Sequence, residues 1–227
     1  MPKNHMKRIA APRSWNIKRK SKVWVVRAKG SHRLENSIPV AVLLRDMLKH
    51  AKSIREIKNI LHTKTLLVNG KKVVDHHLGI GIMDIFEIPD LHEKYLILIS
   101  SLGKMIAVKT NADFKVSKIL GKKKFGRKTQ LNLFGGDNIL VEKDSYKTGD
   151  SVAIALKDKK IKEHLKFEEG ANCFLTGGSH IGEFGKISKI DNKKVLIKSG
   201  EEEFETLNQF VYVTGKEDLM KPGKTEK

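Results

Sequence analysis

The chain has 227 residues, with 45 lysines and arginines against 26 acidic residues and a formal net charge of +19. A balance this basic points to a polyanionic partner, with nucleic acid ahead of an anionic membrane surface. No apolar run reaches the roughly 18 residues of a spanning helix, the basic N-terminus lacks the apolar core of a signal peptide, and the lone Cys173 excludes an intramolecular disulfide or a cysteine-rich zinc site. A reducing, cytoplasmic setting is expected.

Residues 1–36 read as a basic RNA-docking arm. Lys3, Lys7, Arg8, Arg13, Lys18, Arg19, Lys20, Lys22, Arg27, Lys29 and Arg33 face the single acid Glu35, which leaves +10 of the net +19 in this segment. Trp15, Ile17, Val23, Trp24, Val25 and Val26 are too few to hold such charge together alone. The arm is expected to order on phosphate, with Arg8, Arg13 and Arg19 as contacts because the guanidinium fork suits phosphate geometry. Trp15 or Trp24 would stack on a base. Removing residues 1–36 is expected to leave a folded protein with weaker RNA affinity.

Residues 37–93 predict a small α+β module. Ser37 is positioned to cap a helix, and Pro39 suits its first turn. Val40, Leu43, Leu44, Met47, Leu48 and Ala51 share one face, leaving Arg45, Lys49 and Lys52 off it. Ser53 and Glu56 form a capping box for a second helix. Its buried stripe is Ile54, Ile57, Ile60 and Leu61, with Arg55 and Lys58 on the open side. Asn69-Gly70 between Leu66-Leu67-Val68 and Lys71-Lys72-Val73-Val74 predicts a hairpin, because a type I′ turn needs positive φ at both central residues. The turn presents Lys71 and Lys72, and Met83 to Ile88 returns as a strand. This order, and the phrase Leu66 to Val74, resembles the S-four RNA-binding module of ribosomal proteins, synthetases and pseudouridine synthases.

A longer resemblance starts further upstream. His5-Met6-Lys7-Arg8-Ile9-Ala10-Ala11-Pro12-Arg13-Ser14-Trp15-Asn16-Ile17 is similar to the opening signature of the S-four-e family of small-subunit ribosomal proteins from archaea and eukaryotes. Gly30-Ser31-His32-Arg33-Leu34 followed by Ile38-Pro39 resembles that family's run into its first helix. The similarity continues to about Gly215. The long basic C-terminal extension typical of eukaryotic members is missing, which favours an archaeal type.

Residues 94–170 predict a mostly β central domain. Tyr95 to Ile99 and Met105 to Val108 are expected to form a hairpin across Ser101-Leu102-Gly103-Lys104. Phe114, Val116 and Ile119 precede a basic loop, Lys122-Lys123-Lys124-Phe125-Gly126-Arg127-Lys128. With no acid between Phe114 and Asp137, this loop is a candidate to wrap phosphates while Phe125 stacks or packs. Gln130 to Phe134, Ile139 to Val141 and Ser151 to Leu156 follow as strands.

Residues 171–215 contain glycines 178, 182 and 185 followed by Ile187 and Ile190. Gly178, Gly182 and Gly185 resemble those of the KOW motif, a strand–loop–strand element of SH3-like barrels, and that resemblance implies such a β-barrel here. Glycines there permit positive φ and close backbone approach. Strands are expected around Val195-Leu196-Ile197, Phe204 and Phe210 to Val213, with the acidic Glu201-Glu202-Glu203 facing away from phosphate. Residues 216–227 mix charges with Pro222 and Gly223 and read as a disordered tail.

The expected fold is thus α+β and multi-modular: arm, S-four-like module, mostly β central domain and KOW-bearing barrel. No HExxH, GxSxG or P-loop pattern is present, and Cys173 lies in an apolar strand. His76-His77 is the one close histidine pair, expected on a strand whose neighbours point to opposite faces and so a poor metal clamp. Neither catalytic residues, metal, cofactor nor small-molecule substrate is expected. The family resemblance implies a structural constituent of the small ribosomal subunit, with rRNA and neighbouring ribosomal proteins as partners. A free KOW-type regulator of transcription or translation is the alternative, and an RNA-modifying enzyme the more remote one.

Overall fold

The computed structural model describes residues 5–142, 144–191, 193–200 and 202–215. The chain divides into one compact unit that ends at Asn111 and another that begins at Ala112. The expectation of a disordered tail at 216–227 lies outside the described residues, as does the side chain of Glu201.

In the first unit the arm is folded. Strand β1 (Met6–Lys7) pairs antiparallel with β2 (Trp24–Val25). Trp15 is 0% exposed, and its indole N–H donates to the Ser37 carbonyl at 2.7 Å. The amides and ammonium that tie the arm down come from far along the chain: Met105 N–H reaches the Ser14 carbonyl, and Lys104 Nζ reaches that of Arg13. The expectation that residues 1–36 can be removed without unfolding is therefore overturned, because the deletion takes a tryptophan out of the core.

Strand β3 (Ser37–Pro39) pairs with β6 (Gly79–Gly81), so Ser37 is not a helix cap; its hydroxyl donates to the Arg33 carbonyl instead. Helix α1 starts at Val40, runs three residues to Val42, and continues as a wider π turn over Leu43–Met47. Val40 through Leu44 are each at most 1% exposed. Five consecutive apolar residues bury the first part of this helix on every side, and its polar residues, Arg45 and Asp46, come only in the π turn. It stops before Lys49, which sits at φ 59°. Helix α2 (Ile54–Thr63) keeps its predicted box: Ser53 Oγ accepts from Glu56 N–H, and the Glu56 carboxylate takes the Lys52 N–H. Its buried stripe is narrower than predicted, with Ile57 and Leu61 inside and Ile54 exposed.

Strands β4 (Leu67–Val68) and β5 (Lys71–Lys72) meet across Asn69 at φ 50° and Gly70 at φ 75°, the type I′ geometry the sequence required. Strands β7 (Ile85–Ile88), β8 (Glu93–Ile99) and β9 (Met105–Lys109) complete an antiparallel sheet in the order β5-β4-β7-β8-β9. The predicted hairpin from Tyr95 to Val108 thus belongs to this first sheet and not to the central domain. Leu96 to Ile99 are all buried, as expected of an apolar run covered on both faces. The strand foreseen from Met83 begins only at Ile85, since Met83 takes φ 67° and Asp84 turns inward. Asp84 accepts from Gly81 N–H and Asn69 Nδ2, and lies 2.9 Å from His32 Nε2.

The second unit holds two five-stranded antiparallel sheets. The first is built from β10 (Phe114–Phe125), β11 (Lys128–Leu133), β12 (Asn138–Val141), β13 (Ser151–Ala155) and β14 (Ile161–Leu165), in the order β12-β11-β10-β13-β14. Ile119, Leu131, Leu133, Val152 and Ile154 form its core. The second is built from β15 (Asn172–Leu175), β16 (Phe184–Asp191), β17 (Lys194–Ser199), β18 (Glu202–Leu207) and β19 (Val211–Val213), in the order β18-β17-β16-β15-β19. Cys173, Leu175, Ile187, Val195, Ile197, Val211 and Val213 fill its core. Two side chains tie these sheets. Lys118 Nζ donates to the carbonyls of Asn208, Gln209 and Val211 at 2.8, 3.3 and 2.6 Å. The Tyr212 hydroxyl accepts from Lys118 N–H and donates to the Val116 carbonyl. With few helices and nineteen strands among the described residues, the protein is mostly β.

Candidate nucleic-acid interface

The basic side chains singled out by sequence fall into three surface groups and one buried set. In the arm, Lys7, Arg13, Lys18, Lys20, Lys22, Arg27, Lys29 and Arg33 are exposed. Arg8 is not: it is 3% exposed, donates through Nε to the Lys18 carbonyl at 2.6 Å, and pairs through Nη2 with Asp46 at 3.0 Å. Arg19 spends its guanidinium on the carbonyls of Ile9, Ala11 and Pro12. Two of the three arginines assigned to phosphate therefore hold the arm's own fold. The fork that fits a phosphate fits clustered carbonyls equally well. Trp15 is likewise a core residue, while Trp24 is 57% exposed and keeps the role foreseen for either tryptophan open.

Around the module, Lys49, Lys52, Arg55, Lys58, Lys71 and Lys72 are exposed. Arg45 departs from expectation: its side chain is 12% exposed and binds Asp46 through Nη2 at 2.7 Å. Asp46 thus pairs with two arginines at once. It carries no motif, and only the packing of the arm against the first helix makes it visible.

The third group was expected on a loop and instead lies on a β-ribbon, the outer ends of β10 and β11. Phe125 pairs with Lys128 across a two-residue turn, and Gly126 at φ 60° supplies the positive φ that closes it. Lys123, Lys124 and Arg127 are exposed, and Phe125 is 65% exposed. Lys122 bonds Asp144 and the Tyr146 carbonyl, both at 2.6 Å, and Lys128 pairs with Glu142 at 3.2 Å. Acids downstream of Asp137 therefore offset two of the five charges.

The glycines 178, 182 and 185 bear different loads. Gly178 and Gly182 take φ 91° and 81°. Gly185 lies on β16, where a Cβ would come 2.5 Å from Ile197 Cγ2 and 2.9 Å from the Lys198 carbonyl. Sequence reasoning passed over Gly177, whose missing side chain makes room for the Phe210 ring. His180 stacks on Phe204 at 3.8 Å. Cys173 is 1% exposed, and burial pushes its thiol up to about 12, an inert group.

His76 and His77 lie in a turn rather than on a strand, so the opposite-face argument fails. Their ring centroids are 4.0 Å apart, and Asp75 Oδ1 lies 3.3 Å from His76 Nδ1 and 2.8 Å from His77 Nδ1. Among the described residues these three bring one potential metal-ligating atom each within 4.8 Å of one another. Burial opposes the Asp75 carboxylate, but donation from the His77 N–H and ring outweighs it and holds the carboxyl below its usual range. His76 is held below the usual imidazole range by burial, then by the charges of His77, Lys58 and Lys29.

Comparison with known proteins places these features in a family. Residues 91–161 match the model of Ribosomal family S4e, and residues 1–35 match the RS4NT (NUC023) domain. The chain is 37% identical over 234 residues to small ribosomal subunit protein eS4 of Methanococcus maripaludis, covering 96% of both chains. It is 40% identical over 223 residues to the eS4 of Methanocella arvoryzae, covering 94% of this chain and 95% of that one. The crystal structure of 30S ribosomal protein S4e from Thermoplasma acidophilum superimposes with a TM-score of 0.69 at 30% identity, covering 80% of this chain and 96% of that one.

Proposed function

The chain belongs to the S4e family of small-subunit ribosomal proteins, and from that premise we propose how its modules and residues serve the subunit. It is a structural constituent of the small ribosomal subunit, of the type found in archaea, and its role is structural rather than catalytic. Its place is the ribosome, and its partners are rRNA and neighbouring ribosomal proteins. The observation that carries this is the similarity over nearly the whole chain to proteins of that name.

The finer reading is ours. Binding is multivalent charge neutralisation: exposed cations of the arm, of the first module and of the β-ribbon each release counterions from phosphate, and joining them in one chain raises each group's effective concentration for the others. The contacts are Lys7, Arg13, Lys18, Lys20, Lys22, Arg27, Lys29 and Arg33 on the arm; Lys49, Lys52, Arg55, Lys58, Lys71 and Lys72 on the module; and Lys123, Lys124 and Arg127 on the ribbon. Their exposure supports this. Arg8 and Arg19 hold the arm's own fold, and Arg45 braces Asp46, the partner of Arg8. We assign residues 37–111 to an S-four-like module, extended beyond 93 because β8 and β9 continue its sheet. The sheet from β15 to β19 is read as the KOW-bearing, SH3-like barrel. The five-strand order, the positive φ of Gly178 and Gly182 and the close backbone approach at Gly185 support that reading.

Sedimentation of native lysate through a sucrose gradient, with and without a salt wash, tests the function. Co-migration with the small subunit that survives moderate salt is expected. Migration at the top of the gradient would overturn the reading in favour of a free RNA-binding factor.

A further inference from the structure

One cleft of the first unit has a construction that phosphate neutralisation does not account for. It encloses about 220 Å³ and is lined by, among others, His5, Trp24, Arg27, Ile54, His76 and His77. Three segments far apart in sequence converge there: the start and middle of the arm, the N-terminus of α2, and the turn before β6. The cleft lining is mainly aromatic and apolar. Trp24 is 57% exposed and Ile54 36% exposed, a combination that leaves apolar area in water unless something covers it.

The rings come in two tilted pairs. His5 lies 5.7 Å from Trp24 with the planes tilted by 53°, and His76 lies 4.0 Å from His77 with a tilt of 50°. Asp75 Oδ1 holds the His77 imidazole by a hydrogen bond to Nδ1 at 2.8 Å and lies 3.3 Å from His76 Nδ1. Lys29 and Lys58 are near enough to act on the His76 charge, and both are exposed. Arg27 lines the cleft itself. An aromatic slot with a cationic rim matches the two halves of a nucleotide: a base has a π-face whatever its identity, and its phosphate is an anion. An apolar peptide side chain would use the slot and have no use for the rim.

We propose that this cleft receives one unstacked base of a single-stranded RNA segment, stacked on Trp24, with the flanking phosphates on Arg27, Lys29 and Lys58. The proposal rests on the RNA-binding reading above and adds a base-dependent site to it. Because every base has a π-face, the site prefers a base over none and discriminates weakly among bases.

The two tryptophans make the test direct. Trp15 is 0% exposed and Trp24 57% exposed, so quenching of emission by a bound base reports Trp24. The full chain is titrated with two hexameric oligoribonucleotides of equal phosphate count, oligoadenylate and an abasic analogue. The base-bearing hexamer is expected to bind about tenfold tighter and to quench emission. Trp24→Ala should erase that preference without moving the melting transition, and Trp24→Phe should keep most of it. Equal affinity of the two hexamers for the unmodified protein overturns the site. So does a preference that survives Trp24→Ala and vanishes in Phe125→Ala, which would seat the base on the ribbon. Failure of both hexamers to bind at low salt refutes the RNA-binding reading itself, and the cleft with it.

Discussion

Trp15 separates a nucleic-acid ligand from a core residue, and the two roles predict opposite behaviour. Its side chain is 0% exposed and its indole N–H donates to the Ser37 carbonyl at 2.7 Å. Replacing a buried tryptophan by alanine removes the transfer energy and leaves a cavity, together about 3–5 kcal/mol. Trp15→Phe keeps most of the apolar volume and loses the hydrogen bond, leaving the Ser37 carbonyl short of a donor for about 1–3 kcal/mol. Against a typical stability of about 5–15 kcal/mol, the alanine variant loses a large fraction and the phenylalanine variant a modest one. Both tryptophans lie in the first unit, so the remaining Trp24 emission in a denaturant titration follows that unit alone. The expected result is a lowered midpoint in the order wild type, Trp15→Phe, Trp15→Ala, with RNA affinity of the folded Trp15→Phe protein within about twofold of wild type at fixed salt. A Trp15→Phe protein that unfolds at the wild-type midpoint yet binds RNA tenfold more weakly would refute the buried assignment.

Lys118→Met in the second unit keeps the aliphatic stem and removes the ammonium from three carbonyls. A loss of about 2 kcal/mol is expected, read by far-UV circular dichroism because that unit contains no tryptophan; no loss would mean water serves those carbonyls as well. Asp150 is 3% exposed. Burial alone would raise its carboxyl, but bonds from the N–H groups of Phe167 and Lys147 and from His164 win and lower it from 3.8. A folded pKa below the unfolded one contributes stability that is present above about 3.8 and is lost as pH falls through the folded value. Denaturant titrations at pH 5 and pH 3 should therefore show a drop that Asp150→Asn flattens; parallel drops in both proteins would exclude this carboxylate as a source. The triple charge reversal Lys123→Glu, Lys124→Glu and Arg127→Glu at the exposed ribbon tip should leave the melting temperature nearly unchanged. It should lower the slope of log affinity against log salt by about 3, and an unchanged slope would remove the ribbon from the interface. Lys71→Glu with Lys72→Glu on β5 should likewise weaken RNA binding with little change in melting; a large stability loss would make those lysines structural.

Local signals determined a good part of this protein. The Asn69-Gly70 turn, the Ser53–Glu56 capping box and the alternation of Leu131 and Leu133 within Gln130 to Phe134 are dictated by positive φ, orphan amide donors and a two-residue period. The odd run from His5 to Ile17 was enough to point to the family that the full-length comparisons then supplied. The tertiary structure decided which charges are available. Arg8, Arg19 and Arg45 looked identical to their exposed neighbours, because a guanidinium binds phosphate, carboxylate or backbone carbonyl with the same fork. Asp46, 38 residues from Arg8, and the carbonyls of Ile9, Ala11 and Pro12 settle that competition only once the arm is folded. Trp15 and Trp24 differ in the same way: both are large and aromatic, and burial alone divides them into a core residue and a surface one. The hairpin from Glu93 to Lys109 could not be assigned to its sheet from sequence, since strand pairing across domains of similar β pattern depends on which edge is left open. Here β7 offers that edge, by way of Ile85 opposite Leu96.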